Sequence, residues 1–301
     1  MPSHFAVSRS QARLCGVGFC MTATLAPSLA APERTYVRDL ARAFGGALLF
    51  ILPLLMTMEM WAFGFSMDRI RLLVFIAASL PLLFGLAYYA GFSARRGLAN
   101  DLLDTSAALA VGFLTAAGLL LLLGVITPQT TLPDSIGQVM IQAVPGAIGA
   151  LLARRQLSGG AGDTDAGANG DEGEASYPGE LFLMAVGALF LALNLAPTEE
   201  MILIGYKATP WHALAILIVS LTMLHVVVFT AGFAGQEEHD RPGEAFLHFT
   251  LPGYAIALGV SLFTLWAFGR TDGEDLAGVV NTTVVLGLPA SVGAAAARLL
   301  V

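Results

Sequence analysis

Eight apolar runs, near residues 44–65, 70–90, 105–126, 135–153, 180–206, 211–233, 246–268 and 278–297, decide what this chain can become. The shortest holds 19 residues, and a helix needs about 20 to cross the roughly 30 Å hydrocarbon core of a bilayer. No water reaches the backbone inside that core, so a spanning segment must be a helix or part of a closed barrel. Barrel strands alternate over segments of about ten residues, and these runs do not alternate. The fold class is therefore all-α, a polytopic membrane protein of about eight transmembrane helices. With 56% hydrophobic and only 12% charged residues and a mean hydropathy of +0.74, a soluble domain is excluded.

The charges lie between the runs, and their distribution predicts an orientation. If the N-terminus is cytoplasmic, eleven Lys and Arg residues fall on that side and four, Arg69, Arg71, Lys207 and Arg270, on the other. That bias predicts both termini in the cytoplasm. Residues 1–34 are read as a disordered tail, although Arg9, Arg13 and the small-residue stretch Ser28-Leu29-Ala30 also resemble a signal peptide, and Met21 is an alternative start. Residues 157–178, rich in Gly, Ala, Asp and Glu, are read as a mobile acidic linker. It contributes much of the net charge of -7, so that charge implies no acidic partner. No basic patch interleaved with aromatics points to nucleic acid. Cys15 and Cys20 match no metal or redox spacing and are read as inert thiols. No cofactor motif is present, and none is expected.

The chain repeats itself. With a shift of 141 residues, Gly46 to Phe92 aligns without gaps on Gly187 to Phe233 with 16 identities in 47 positions. The informative matches are Thr57, Glu59, Met60 and Gly64 over Thr198, Glu200, Met201 and Gly205. At a shift of 144, Pro145, Gly149 and Arg154 lie over Pro289, Gly293 and Arg298. Two membrane units are expected, 35–156 and 179–301, each with four spans. Four is even, so the repeats would be parallel, related by an axis along the membrane normal.

Glu59 and Glu200 are the costly residues, because each lies inside an apolar run. Each is placed toward the outside by about 6 to 7 Å from the middle of its run, at about 1.5 Å per residue. A carboxylate at such depth is expected to be paired, protonated or hydrated, and two facing each other would hold protons more tightly than free Glu. Proton or small-cation handling is the functional reading. Thr57, Thr198, Asn194 and Glu199 belong to the same stretches, and His225 is the candidate proton partner of Glu200. Packing is the alternative: a protonated Glu hydrogen-bonded to a neighbouring helix, or Glu200 neutralised by Lys207. Gly146 with Ala150 and Gly287 with Ser291 are read as sites of close helix approach. Gln138, Gln142, Asn281 and Thr282 either line a polar path or bond between helices. Pro53, Pro81, Pro145, Pro197, Pro252 and Pro289 mark expected kinks.

Glu199, Glu200, His225 and His248 resemble the glutamate and histidine motifs of intramembrane CAAX-type proteases. The pattern departs at Ile204, where that family has Arg, and it cannot account for Glu59. At Thr57-Met58-Glu59-Met60-Trp61 and Asn194 to Met201 the sequence also resembles an uncharacterised family of bacterial multispanning membrane proteins, over about residues 35–300. That resemblance implies topology and no activity. Transport or ion conduction is the first functional expectation, with the bilayer and protons or small cations as partners. A non-transporting structural or regulatory membrane protein is the second.

Overall fold

The computed structural model describes residues 31–89, 98–158, 177–230 and 246–299. Cys15, Cys20 and most of the expected tail and linker lie outside these residues. The element order is α1 Ala31–Leu55, α2 Met58–Ser66, α3 Arg69–Tyr89, α4 Leu98–Leu122, α5 Leu132–Ser158, α6 Tyr177–Leu195, α7 Glu199–Lys207, α8 Pro210–Thr230, α9 Leu251–Ala267 and α10 Leu276–Leu299. A π-helical turn, Phe246–Thr250, leads into α9. Residues 31–34, read from the sequence as tail, are the first turn of α1.

The described residues are mostly helical and contain no strand. Among the described residues, seven helices are long and apolar enough to cross a membrane, or up to eight if the bent pair α1 and α2 counts as one span. The protein is thus an integral, multi-pass membrane protein, as the run lengths predict. The first and fifth expected spans nevertheless differ from expectation, because each is divided. The α1–α2 pair turns by 85°, and α6 ends at Leu195, four residues before α7 begins.

Within residues 31–158, α1 and α4 pack on α5; within 177–299, α6, α8 and α9 pack on α10. Two central helices follow, and α5 is the more enclosed, with 78% of its span buried against 56% for α10. Glycine makes both pairings possible. A Cβ on Gly46 would overlap the main chain of Gly149, and one on Gly187 would overlap that of Gly293. Only a hydrogen at those positions lets α1 meet α5, and α6 meet α10, at backbone contact. Gly146, one of the expected small residues, sits against Ile51 and Gly112 in the same way.

Aromatic rings fill the seam between the two sets of helices. Phe50 of α1 meets Phe190 of α6 with centroids 4.2 Å apart, and Phe182 of α6 lies against Gly85 of α3. Near one face of the bundle, Phe268 packs beside Phe63 at 5.1 Å and Phe75 at 6.1 Å.

The proline positions have identifiable consequences. Pro53, Pro81, Pro145 and Pro289 are carried inside helices. Pro252 falls at the start of α9 and cannot donate to the carbonyl four residues back, on His248. The Tyr177 hydroxyl donates to that carbonyl instead, at 2.8 Å. The π turn lies where the regular ladder is interrupted.

Candidate functional site

The two divided spans build the same local corner. Thr57 and Thr198 are both extended, with φ/ψ of -96/125 and -72/145. In each, the backbone N–H and the hydroxyl donate to one carbonyl three residues back: Leu54 for Thr57, at 3.2 and 2.8 Å, and Leu195 for Thr198, at 3.0 and 2.9 Å. The threonines therefore close the preceding helix, and neither side chain caps the following one. Each short helix then opens with acid, Glu59 in α2 and Glu199 with Glu200 in α7. A carboxylate in a first turn is favoured by the helix dipole.

This geometry moves the carboxylates relative to expectation. With 19 residues, α6 is about 28 Å long at about 1.5 Å per residue, close to the roughly 30 Å of a hydrocarbon core. Glu199 and Glu200 follow its end, and both are exposed on the rim of the bundle, whereas Glu59 is half-buried. Proline 197 explains why the expected span 180–206 fails to continue, since it interrupts the helical ladder. Asn194 does not reach the corner's outer side; its side-chain amide donates to Phe190 of its own helix at 2.7 Å.

The cation at this site is Arg270, which sequence reasoning entered only in the charge count. Its position follows from the end of α9. Gly269 has φ +71, its N–H bonds to Trp266 at 3.0 Å, and the Arg270 N–H reaches back to Leu265 at 2.8 Å. These two bonds form a Schellman cap, which needs a residue tolerant of the left-handed conformation. The chain leaves the cap with Arg270 aimed at both corners. Its guanidinium donates to the carbonyl of Pro197 and lies 5.1 Å from the centre of the Phe63 ring. Burial pushes the Arg270 guanidinium below its ordinary range, while the carboxylates of Glu199 and then Glu59 oppose that shift. Arg270 thus stands in the field of acids from both corners.

An open cleft of about 450 Å³ adjoins it, lined by Glu199, Glu200, Ile202, Leu203, Tyr206 and Arg270. The Tyr206 hydroxyl donates to Glu274 at 2.5 Å, and this bond raises the phenol's pKa. Arg71 donates to Asp272 at 2.7 Å and lies 5.5 Å from the Trp266 ring centre. The loop between α9 and α10 is therefore tied to α3, to α7 and to the α6–α7 corner.

His225 lies elsewhere. It is fifteen residues into α8, about 22 Å from the end joined to α7 at about 1.5 Å per residue. Its ring nitrogen is 3.0 Å from the Thr250 hydroxyl, and its ring meets Phe246 edge-on at 5.4 Å. His248 occupies the π turn. Glu199 and Glu200 are thus not brought together with His225 and His248, the convergence that resemblance to CAAX-type proteases requires. Among the described residues, no three His, Cys, Asp or Glu side chains form a group that could hold a metal ion. Of the remaining polar candidates, Asn281 bonds between helices, donating to the carbonyl of Ala208 at 3.0 Å.

Compared with known protein families, residues 39–301 match the model described as "Putative integral membrane protein (DUF2391)". No curated protein matches, and no solved structure does.

Proposed function

The chain belongs to the DUF2391 family of integral membrane proteins, and from that footing we propose a transporter or ion-conducting protein of a bacterial inner membrane. Protons or small cations are handled at its Glu59, Arg270, Glu199 and Glu200 site. The carrying observation is that one half-buried guanidinium bonds to the Pro197 carbonyl of one corner, lies over the Phe63 ring beyond the other, and lines a cleft with Glu199 and Glu200. An arriving cation can meet the exposed Glu199 and Glu200 at the cleft while Arg270 keeps the Pro197 carbonyl and the Phe63 ring as its own contacts.

Two further proposals accompany this one. The charge bias puts both termini in the cytoplasm and the corners at the periplasmic face. The chain is a parallel duplication of units 35–156 and 179–301, supported by the recurrence of the threonine corner and of the paired glycine contacts at positions matched in sequence.

Flux through liposomes under proton and alkali-cation gradients tests the reading. Glu59→Gln and Glu200→Gln keep size and hydrogen bonding while removing the charge, and flux should fall in both with thermal stability retained. A second reading, a structural clamp without transport, is favoured by the Arg270 bond to the Pro197 carbonyl. Under that reading flux is absent or unchanged in the Gln variants, and Arg270 substitutions act on stability alone.

A further inference from the structure

Gln138 and Gln142 occupy successive turns of one face of α5, and Gly146 continues that face. The face is located by its contacts. Gly146 abuts Ile51 near the end of α1, and Gln138 abuts Gly64 of α2. Gln142 lies between them, and so faces the inside of the α1–α2 corner. It is the eleventh residue of the 22-residue span Leu132–Ala153, which puts it at mid-membrane depth.

Both glutamines are sealed inside the protein, Gln138 at 2% and Gln142 at 0% exposure. The Gln138 Oε1 and both the Oε1 and Nε2 of Gln142 have no hydrogen-bond partner among the described residues. Buried amides carry their full desolvation penalty unless something pairs with them. No described group supplies that partner, and an occupant from outside the chain can.

The donor set defines the partner's chemistry. An alkali cation accepts lone pairs from the two Oε1 atoms and leaves the Nε2 donor unmatched. An anion does the reverse. A small molecule that both donates and accepts, as water does, can satisfy all three atoms. We infer that the α1–α2 corner encloses an ordered water site at mid-membrane depth, held by Gln138 and Gln142. The matching positions of the second half at a shift of 144 are Thr282 and Leu286. Leu286 has nothing to offer water, so the site belongs to the first half alone. The inference stands whether or not the protein transports.

The test is an experimental density map of the full chain in lipid nanodiscs, at a resolution that shows ordered water, recorded in sodium and in choline buffers. A non-protein peak within hydrogen-bond distance of the Gln142 side chain is expected in both buffers, with none beside Leu286. The peak should disappear in Gln142→Leu; if that variant does not fold, Gln138→Leu should displace or weaken it. A map with Gln142 bonded to another protein group and no peak overturns the inference. So does a peak seen only in sodium, which would make the occupant a cation.

Discussion

In the first half, α4 ends in a cap on Gly124, with φ 70, whose N–H and that of Val125 return to Leu121 and Leu120 at 3.1 and 3.0 Å. In the second, α9 ends in the same cap on Gly269, and the residue that follows is Arg270 instead of Val125. One backbone device therefore delivers a half-buried apolar side chain on one side and a guanidinium on the other. The corners differ in the same manner. Glu59 is half-buried while Glu200 is exposed, and the interior behind the first corner holds Gln142 where the second half has Leu286. Recurring backbone geometry and unlike chemistry coexist, and the unlike residues are the ones that gather charge at the seam.

The strongest way to break this comparison is to attack the contacts both halves share. Gly149→Leu and Gly293→Leu each force a side chain onto a facing main chain, and overpacking of this kind costs about 1–3 kcal/mol, sometimes more. Both variants should lose folded protein in detergent to a similar degree. Gly45→Ala, where added bulk meets nothing within 4 Å, should be neutral or slightly stabilising. A large loss in one half only would show that the glycine contacts are not equivalent.

Exchange of the capping neighbour comes next. Arg270→Val installs the first half's residue, removes the bond to the Pro197 carbonyl and the contact with Phe63, and leaves Glu59 and Glu199 without that cation. A hydrogen bond from a charged group contributes about 1.5–3 kcal/mol, and the half-exposed setting places the expected loss of thermal stability toward the lower end. An unchanged melting temperature would remove Arg270 from the centre of the site. By contrast, Glu200→Gln, on an exposed rim, should alter stability by within about 0.5 kcal/mol.

The smallest effect concerns a tie between the halves, from Arg71 of α3 to Asp272 of the α9–α10 loop. Its hydrogen bond to Arg71 holds the Asp272 carboxyl below its ordinary range. A depressed carboxyl contributes stability above its unfolded pKa of about 3.9, and that contribution is lost as pH falls through the lower folded value. The difference between wild type and Asp272→Asn should be visible at pH 7 and vanish in acid below the folded pKa. A difference that persists there would mean the Asn acts by another route.

The spans are legible because apolar length is the property a bilayer selects, whereas the aligned Thr57 and Thr198 show a recurring motif and not the corners it builds. The breaks were harder to see. From Leu181 to Tyr206 hydrophobicity runs past α6 into α7, so only Pro197 marks the interruption. At the first corner the chain carries Met56 instead, and α1 stops where Thr57 turns both of its donors back onto Leu54. Placing Glu59 and Glu200 about 6 to 7 Å outward of the middle of their runs takes each run as one straight helix, and both runs are divided. Arg270 was hidden for a different reason: a glycine followed by arginine after a helix marks a cap, and which surface it reaches depends on tertiary packing. His225 was matched to Glu200 by chemistry alone, and the length of α8 separates them.

That the two acid-bearing short helices lie at one face of the membrane, and that this face is outside, is tested most directly by labelling. With Cys15 and Cys20 replaced by Ser, Met58→Cys in α2 and Glu199→Cys in α7, matched positions at a shift of 141, can each be treated in intact cells with a membrane-impermeant thiol reagent. Both should be modified without permeabilisation. Modification of one from outside and the other only from inside would contradict the shared face, and modification of both only from inside would reverse the orientation.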